Sequence, residues 1–329
     1  MSLRLVRRGT HATIQDGGRR GRRRWGVPWG GVADRESWIV ANALVGNSPD
    51  LCAAVVESSG FGGEYLAEAR MEVALAGAQG SPSIVRADGQ IIELASPGSF
   101  ALEAGDRLVL GSNRVGARVY VAVRGGFLTP AMLGSRSTEN SIEIGEVLAC
   151  ESLPEGTRIH RRRLSVHPHS IERPLQVRIA PGPAVAAGSG RGEFERLIEP
   201  RTRFRVTADS NRVGLRLLAV DESGLAIEEG DPERSLIDRE SGPVLPGTIQ
   251  RGARERLIVG PAGGTMGGYA AIAQVITADL DRIGQAAPGD LIRFVAIDLA
   301  SARKLQEARV ARLKARAAAI AAVRTAVLE

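Results

Sequence analysis

Apolar residues along this chain come mostly in short β-branched or alternating runs closed by glycine or proline, a pattern that predicts strands rather than long helices. Met71 to Ala76, Ile91 to Leu94, Arg107 to Leu110, Arg118 to Val123, Gln176 to Ala180, Arg203 to Val206, Arg256 to Val259 and Asp290 to Val295 each read this way. With 40 Gly and 16 Pro, turn chemistry recurs along the whole length. One early helix is expected after Asp34, whose carboxylate can cap the first turn; it runs through Trp38, Ala41, Leu44 and Val45 and stops at Gly46-Asn47. From Leu299 to Leu328 the pattern changes to a helical rhythm of Ala, Arg, Leu and Lys with no internal Gly or Pro. Leu305, Val310, Leu313, Ala317 and Ile320 are its expected apolar face, docked on the parent lobe or on a partner.

A chain of 329 residues exceeds the size at which one hydrophobic core stops growing, so two lobes are expected. The charged, proline-bearing stretch Leu153 to Pro174 is the linker candidate. The resulting division is residues 1–152, linker 153–174, residues 175–298, and a terminal helix over 299–329. Leu102-Glu103-Ala104-Gly105-Asp106-Arg107-Leu108 echoes Ala286-Ala287-Pro288-Gly289-Asp290-Leu291-Ile292. Two related barrels would produce that echo, and so would ordinary Gly-Asp turn chemistry before a strand.

Composition narrows the function classes. With 43% hydrophobic and 24% charged residues the chain should fold rather than remain disordered. Its two cysteines, Cys52 and Cys150, supply neither a disulfide scaffold nor a CxxC metal site, which fits a reducing compartment. The lack of a leader pattern or of an apolar run near the ~18 residues of a membrane span leads us to expect a cytoplasmic protein with no membrane partner. The formal charge of +6 comes from arginine, clustered at Arg19, Arg20, Arg22, Arg23 and Arg24 and again at Arg161, Arg162 and Arg163. Neither cluster shows a nucleic-acid fold or an interleaved aromatic platform, so solvated loops or an acidic protein partner are expected instead of nucleic acid. His160, His167 and His169 lie close together without thiolate or HExxH spacing, so no metal site is expected. Dinucleotide, Walker and nucleophile-elbow motifs are also missing.

What stands out is a set of polar residues in glycine-rich turns, where backbone amides can approach a ligand and Arg, Gln or Asp can fix its polar groups. The blocks are Thr13-Ile14-Gln15-Asp16-Gly17 with Gly26-Val27-Pro28 and Asp34-Arg35; Gly134-Ser135-Arg136-Ser137-Thr138; Asn211-Arg212-Val213-Gly214-Leu215-Arg216-Leu217; Gly247-Thr248-Ile249-Gln250; and Gly267-Gly268-Tyr269 leading to Ile276-Thr277-Ala278-Asp279-Leu280. Taken singly, each also fits a strand reversal.

In order and spacing, from TIQDGG through GVPWGGVADRESWIVANALVGN, GSRST, PGP, SNRVGLRL and GTIQ to MGGYAAIAQVITADL and PGDLIRF, the sequence resembles the carboxyltransferase A and B domain family over residues 3 to 300. That family includes the C subunit of 5-oxoprolinase, the carboxyltransferase region of urea amidolyase (also described as allophanate hydrolase subunit 2-like) and the KipI antagonist. The resemblance implies a mainly-β fold of two cyclophilin-like β-barrel lobes and a KipI-like companion, the B subunit of 5-oxoprolinase, with the related C and D domains. It further implies an assembly that uses ATP to open a small cyclic amide, 5-oxoproline, with a protein like the A subunit of that enzyme as a third component. The alternatives are biotin-dependent carboxyl transfer to urea, and a non-catalytic regulator. ATP would be shared with the partners, and biotin would enter only through the carboxyltransferase route.

Both reactions need an oxyanion seat and an oriented amide, for which Arg and Gln side chains beside glycine amides are suitable donors. Asp16, Arg136 and Arg216 are therefore the catalytic candidates. Gln15, Asp34, Ser137, Asn211, Arg212, Gln250, Thr265, Gly267, Gly268 and Tyr269 are the binding candidates, expected to converge from both lobes on one cleft. Asp34 equally suits a helix cap. The sequence departs from the family pattern at Asn211, where an acid is usual; at Ala262-Gly263-Gly264-Thr265-Met266, in place of an Asp-Arg-Gln-Thr-Thr-like run; and at Arg251-Gly252-Ala253-Arg254-Glu255, in place of a proline-rich turn. These departures keep the regulatory alternative open.

Overall fold

The computed structural model describes residues 1–48, 53–154, 156–157, 159, 162–164, 173–227, 241–252 and 255–326. Cys52, Arg161, the three linker histidines and the expected helix end at Leu328 lie outside the described residues. The chain forms two compact units. The first comprises Met1–Arg19, Gly30–Ser170 and Val310–Glu329; the second comprises Arg20–Trp29 and Ile171–Arg309.

The first unit is built on two six-stranded sheets. One runs Val147–Ala149, Ser2–Arg7, Glu64–Ala67, Arg107–Val109, Ser83–Val85, Ile91–Glu93; the other runs Arg162–Arg163, Gly98–Leu102, Met71–Gly80, Asn113–Val123, Val55–Ser59, His11–Gln15. Leu3, Leu5, Tyr65, Ile84 and Leu108 of the first sheet share one core with Ile14, Val56, Val73, Leu75, Phe100 and Val121 of the second. Met71–Gly80 is buried on both faces over most of its length. Met71, Val73 and Leu75 point into that core, while Ala74 and Ala76 join a second cluster with Trp38, Val40, Ala41 and Leu44 of the Arg35–Leu44 helix. Alanines on that side let the helix approach closely, and this is why the strand reads as a nearly continuous apolar run. Trp38 is anchored by Nε1 donating to the Ala53 carbonyl at 2.9 Å.

The second unit is a closed seven-stranded barrel in the order Leu175–Pro181, Ala271–Val275, Thr248–Arg251, Arg256–Val259, Gly214–Val220, Arg203–Val206, Leu291–Ala296. Leu291–Ala296 closes it by pairing parallel to Leu175–Pro181, while the other pairings are antiparallel. Val177, Ile179, Phe204, Leu217, Ile249, Ile258 and Phe294 fill the interior, with the Phe204 and Phe294 rings 5.2 Å apart. The mainly-β expectation holds.

The Gly-Asp echo is one turn built twice. Asp106 Oδ2 accepts from Glu103 N at 2.7 Å and Asp290 Oδ2 from Ala287 N at 2.8 Å. Gly105 and Gly289 both have φ of 90°, a conformation open to glycine. Each glycine then donates to the end of a neighbouring strand, Gly105 to Ala67 O and Gly289 to Val206 O, both at 2.9 Å.

The terminal helix, Leu299–Ala326, buries Leu313, Ala317 and Ile320 of its expected apolar face and departs from it at Val310. Val310 is 39% exposed and Arg309 is buried in its stead, ion-paired with Asp281 in the second unit. From Val310 onward the helix belongs to the first unit rather than to its parent lobe. There Ala317 and Ile320 join the Arg35–Leu44 cluster, and Arg312 and Arg316 each reach buried Glu36 at 2.9 Å. The apolar face is narrow, so buried ion pairs decide which turns pack.

Candidate functional site

In the first unit the strand His11–Gln15 ends in Gln15 and the following residue is Asp16; both are buried. Ile14 faces the core, so the period of two turns Thr13 and Gln15 the other way. Gln15 Nε2 donates to Thr13 Oγ1 at 2.9 Å and to the Thr138 carbonyl at 2.6 Å. A carbonyl can only accept, so these bonds fix the amide orientation and leave Gln15 Oε1 as a buried acceptor without a donor among the described residues.

Asp16 organises the Ser135–Ser137 loop. Its Oδ1 accepts from Gly18 N at 2.8 Å and from the Ser135 and Ser137 hydroxyls at 2.6 Å each, while Oδ2 accepts from Arg136 N at 2.6 Å. The Arg136 guanidinium itself donates to the Thr129 carbonyl. Gly31, with φ of 78°, lets its backbone pass close to the Asp16–Gly18 backbone: a Cβ there would stand 2.9 Å from the Asp16 carbonyl oxygen.

Asp34 caps the Arg35–Leu44 helix, accepting from Ser37 N at 3.1 Å and from the Ser37 hydroxyl. Its own backbone N donates to the Tyr120 hydroxyl at 2.9 Å, and that hydroxyl donates to Glu57 Oε2 at 2.8 Å. Burial, then the charges of Glu57 and Asp34, push the Tyr120 hydroxyl well up, so it stays a donor. Glu57 also faces Arg118 at 3.4 Å. Sequence reading missed this buried network, whose members are spread over distant strands.

In the second unit Asn211 closes the turn before Gly214–Val220. Its Oδ1 accepts from Val213 N at 2.8 Å, and its N donates to Gly214 O at 3.1 Å. An amide does this as well as a carboxylate, so the loss of the family's acid leaves the turn intact. Arg212 is buried, and its carbonyl accepts from Ala262 N at 3.1 Å. Arg216 lies on the outer face of the barrel, with 45% of its side chain exposed, ion-paired with Glu255.

Gln250 is 4% exposed, and its Nε2 is buried without an acceptor among the described residues. It sits beneath a two-stranded ribbon, Gly242–Pro243 against Met266–Gly267, extended by Val244 N donating to the Thr265 carbonyl at 3.0 Å. A Cβ on Gly267 would stand 2.5 Å from Gln250 Nε2 and 3.4 Å from Val244 Cγ1, so the Gln250 amide packs directly against this glycine. Gly268 follows, and Tyr269 is 48% exposed.

The arginines at 20–24 are also more ordered than solvated loops. Arg20 and Arg23 lie over the Trp29 ring at 5.1 and 5.9 Å, and Arg22 and Arg24 over Trp25 at 4.9 and 4.7 Å. Arg23 reaches the ribbon, Nη2 donating to the Val244 carbonyl and to the Gly264 carbonyl at 2.8 Å, while its Nη1 is buried without a partner among the described residues. Burial lowers the guanidinium pKa from its ordinary value. The two tryptophans that follow the arginine run, Trp25 and Trp29, were the available signal for Arg23.

The structure thus gathers Gln15, Asp16, Arg136 and Ser137 in the first unit, and Gln250, Thr265 and Gly267 with Arg23 in the second. Among the described residues no group of three or more His, Cys, Asp or Glu side chains could hold a metal ion, and no helix is long and apolar enough to cross a membrane.

The fold and these motifs define a carboxyltransferase-type domain. The model for the carboxyltransferase domain, subdomain A and B, matches residues 25–296, and the chain belongs to that family. It is 29% identical to the C subunit of 5-oxoprolinase from Escherichia coli over 318 residues, 93% of this chain and 94% of that protein. It is 28% identical to urea amidolyase of Lachancea kluyveri, covering 93% of this chain and only 17% of that one. The crystal structure of K. lactis urea amidolyase superposes with a TM-score of 0.77 at 25% identity over 96% of this chain, which spans 20% of that chain. TTHA0988 does so with a TM-score of 0.71 at 28% identity, over 89% of this chain and 56% of that one.

Proposed function

We propose that this chain is one component of an ATP-dependent amide-processing enzyme of the 5-oxoprolinase type, acting in the cytoplasm with a companion protein that carries the C and D domains. The observation that carries this reading is the mutual coverage with the C subunit of 5-oxoprolinase, 93% of one chain against 94% of the other. The chemistry agrees with it: buried amide and guanidinium donors beside glycine backbone suit a ligand carbonyl, and would stabilise the oxyanion that develops when an amide is activated at oxygen. ATP supplies that activation in the assembly, and no step of it is assigned to residues of this chain.

Urea-type carboxyl transfer is the second reading, favoured by the match to urea amidolyase over 93% of this chain. The test is to co-purify the chain with its companion and with a protein like the A subunit of 5-oxoprolinase, and to follow glutamate formation from 5-oxoproline. ATP-dependent ring opening that disappears when this chain is omitted is the expected result. An assembly that is inert toward 5-oxoproline but accepts carboxyl from biotin onto urea would replace the first reading with the second.

A further inference from the structure

Two cavities of the first unit share a wall, and their chemistry is opposite. One, of about 480 Å³, is lined by the polar side chains Gln79, Ser96, Arg114 and Arg163. The other, of about 470 Å³, is lined by Leu44, Ala319, Ile320 and Val323. Arg163 and Leu164 belong to both linings. The sheet edge holds them there: Arg163 pairs with Gly98, and Leu164 N donates to the Pro97 carbonyl at 3.0 Å. Leu164 packs against the cluster of the Arg35–Leu44 helix, while Arg163 is exposed. The charges sort in the same way. The other two arginines at the apolar cavity already face buried acids, Arg162 with Glu72 at 3.3 Å and Arg316 with Glu36 at 2.9 Å. Arg114 donates to the Ser81 hydroxyl at 2.8 Å, and neither it nor Arg163 meets a carboxylate among the described residues. The lining of the polar cavity contains no acid.

We infer that the first unit binds a singly headed aliphatic anion, its carboxylate or phosphate on Arg114 and Arg163 and its chain over Leu164 in the apolar cavity. Two guanidiniums without an acid suit an anionic head, and an adjoining aliphatic wall gains from a chain that takes its surface out of water. Val323, 60% exposed, is part of the surface such a chain would cover. Each cavity is within the size range of small-molecule sites. Ala319, Ile320 and Val323 lie on the terminal helix, outside residues 25–296 matched by the family model, so the tail cavity is built with a part of the chain beyond that match. The seat rests on no part of the amide chemistry proposed above and uses none of its candidate residues.

Calorimetric titration of the full chain tests this with butanoate, hexanoate, octanoate, octyl phosphate and 1-octanol. Affinity of the carboxylates should rise about three- to fourfold for each added methylene. Octanoate should bind at least about tenfold more tightly than 1-octanol, the scale of one charge-assisted hydrogen bond. Arg163→Gln and Arg114→Gln change exposed side chains; each should weaken octanoate about tenfold and leave 1-octanol unchanged, and Arg163→Lys should keep most of the wild-type affinity. Ala319→Phe, at an exposed helix position, fills the apolar cavity and should weaken octanoate and 1-octanol together while sparing butanoate. If Arg163→Gln does not fold, Arg114→Gln and Ala319→Phe carry the test by themselves. Tighter binding of octanoate than of octyl phosphate assigns a carboxylate head and the reverse order a phosphate, and both uphold the seat. No binding of either anion, affinity that ignores chain length, 1-octanol bound as tightly as octanoate, or arginine variants that bind as wild type does would overturn it.

Discussion

The tripeptide Thr-Ile-Gln occurs once in each unit, at residues 13–15 and 248–250, and the two copies differ in what surrounds them. In both, the isoleucine is buried in the core of its unit and the Thr and Gln side chains are buried on the opposite side of the strand. In the first unit the Gln donates twice within the unit and is followed by Asp16, whose carboxylate is ringed by hydroxyl and amide donors. In the second the Gln donor is left unmade among the described residues and the next residue is Arg251, buried 3.2 Å from Glu193, which also binds Arg256 at 2.9 Å. Equal sequence on equal strands thus leaves one amide atom unpaired among the described residues in each unit, but the acceptor Oε1 in the first, whose Nε2 is spent within the unit, and the donor Nε2 in the second. The difference separates a glutamine whose donor holds the Thr138 carbonyl in place from one whose donor contributes no hydrogen bond to the fold among the described residues.

The largest effect should follow from removing the hub of the closed network. Asp16→Ala strands the amides of Gly18 and Arg136 and the hydroxyls of Ser135 and Ser137, and should cost about 3 kcal/mol or more. The check is the shift of the urea midpoint at unchanged slope. Near-isosteric Gln15→Met should destabilise by about 1–2 kcal/mol, because the Thr138 carbonyl loses its donor. The same change at Gln250 should be neutral or stabilising by up to about 1 kcal/mol, since it removes a donor left unmade in the fold. Equal losses at the two sites would break the comparison.

Alkaline pH sharpens it from another side. Burial pushes the Cys150 thiol up to about 11 from an ordinary 9.0, and burial also raises the Tyr65 and Tyr120 hydroxyls. Groups whose pKa is raised by folding contribute stability that is complete below the unfolded value and is lost as pH climbs through the folded one. All three belong to the first unit, so hydrogen exchange under increasingly alkaline conditions should show that unit opening first. Simultaneous opening of both units would count against this. The smallest effect is expected at Arg216→Ala, within about 0.5 kcal/mol in stability because its pair with Glu255 is exposed. A loss of ligand affinity or turnover in that variant without a change in the melting curve would support Arg216 as a functional residue rather than a surface ion-pair partner.

Period and punctuation made the strands legible: Met71, Val73 and Leu75 share a face because side chains alternate along a strand, whatever the rest of the chain does. The Asp34 cap was likewise readable, since the side chain and the amide it accepts from are three residues apart. Family membership could be read for the same reason, as the order and spacing of turn motifs are properties of the sequence itself. Tertiary structure alone decided which polar residues are spent and which are left over. Gln15 and Gln250 sit in the same tripeptide, and nothing local says that Thr138 lies opposite one and bare Gly267 opposite the other. It also decided that Arg23 belongs with residues more than 200 positions away, and that Arg309 rather than Val310 is buried on the terminal helix. Hydrogen-bond satisfaction and charge pairing depend on partners distant in sequence, and only the folded chain supplies them.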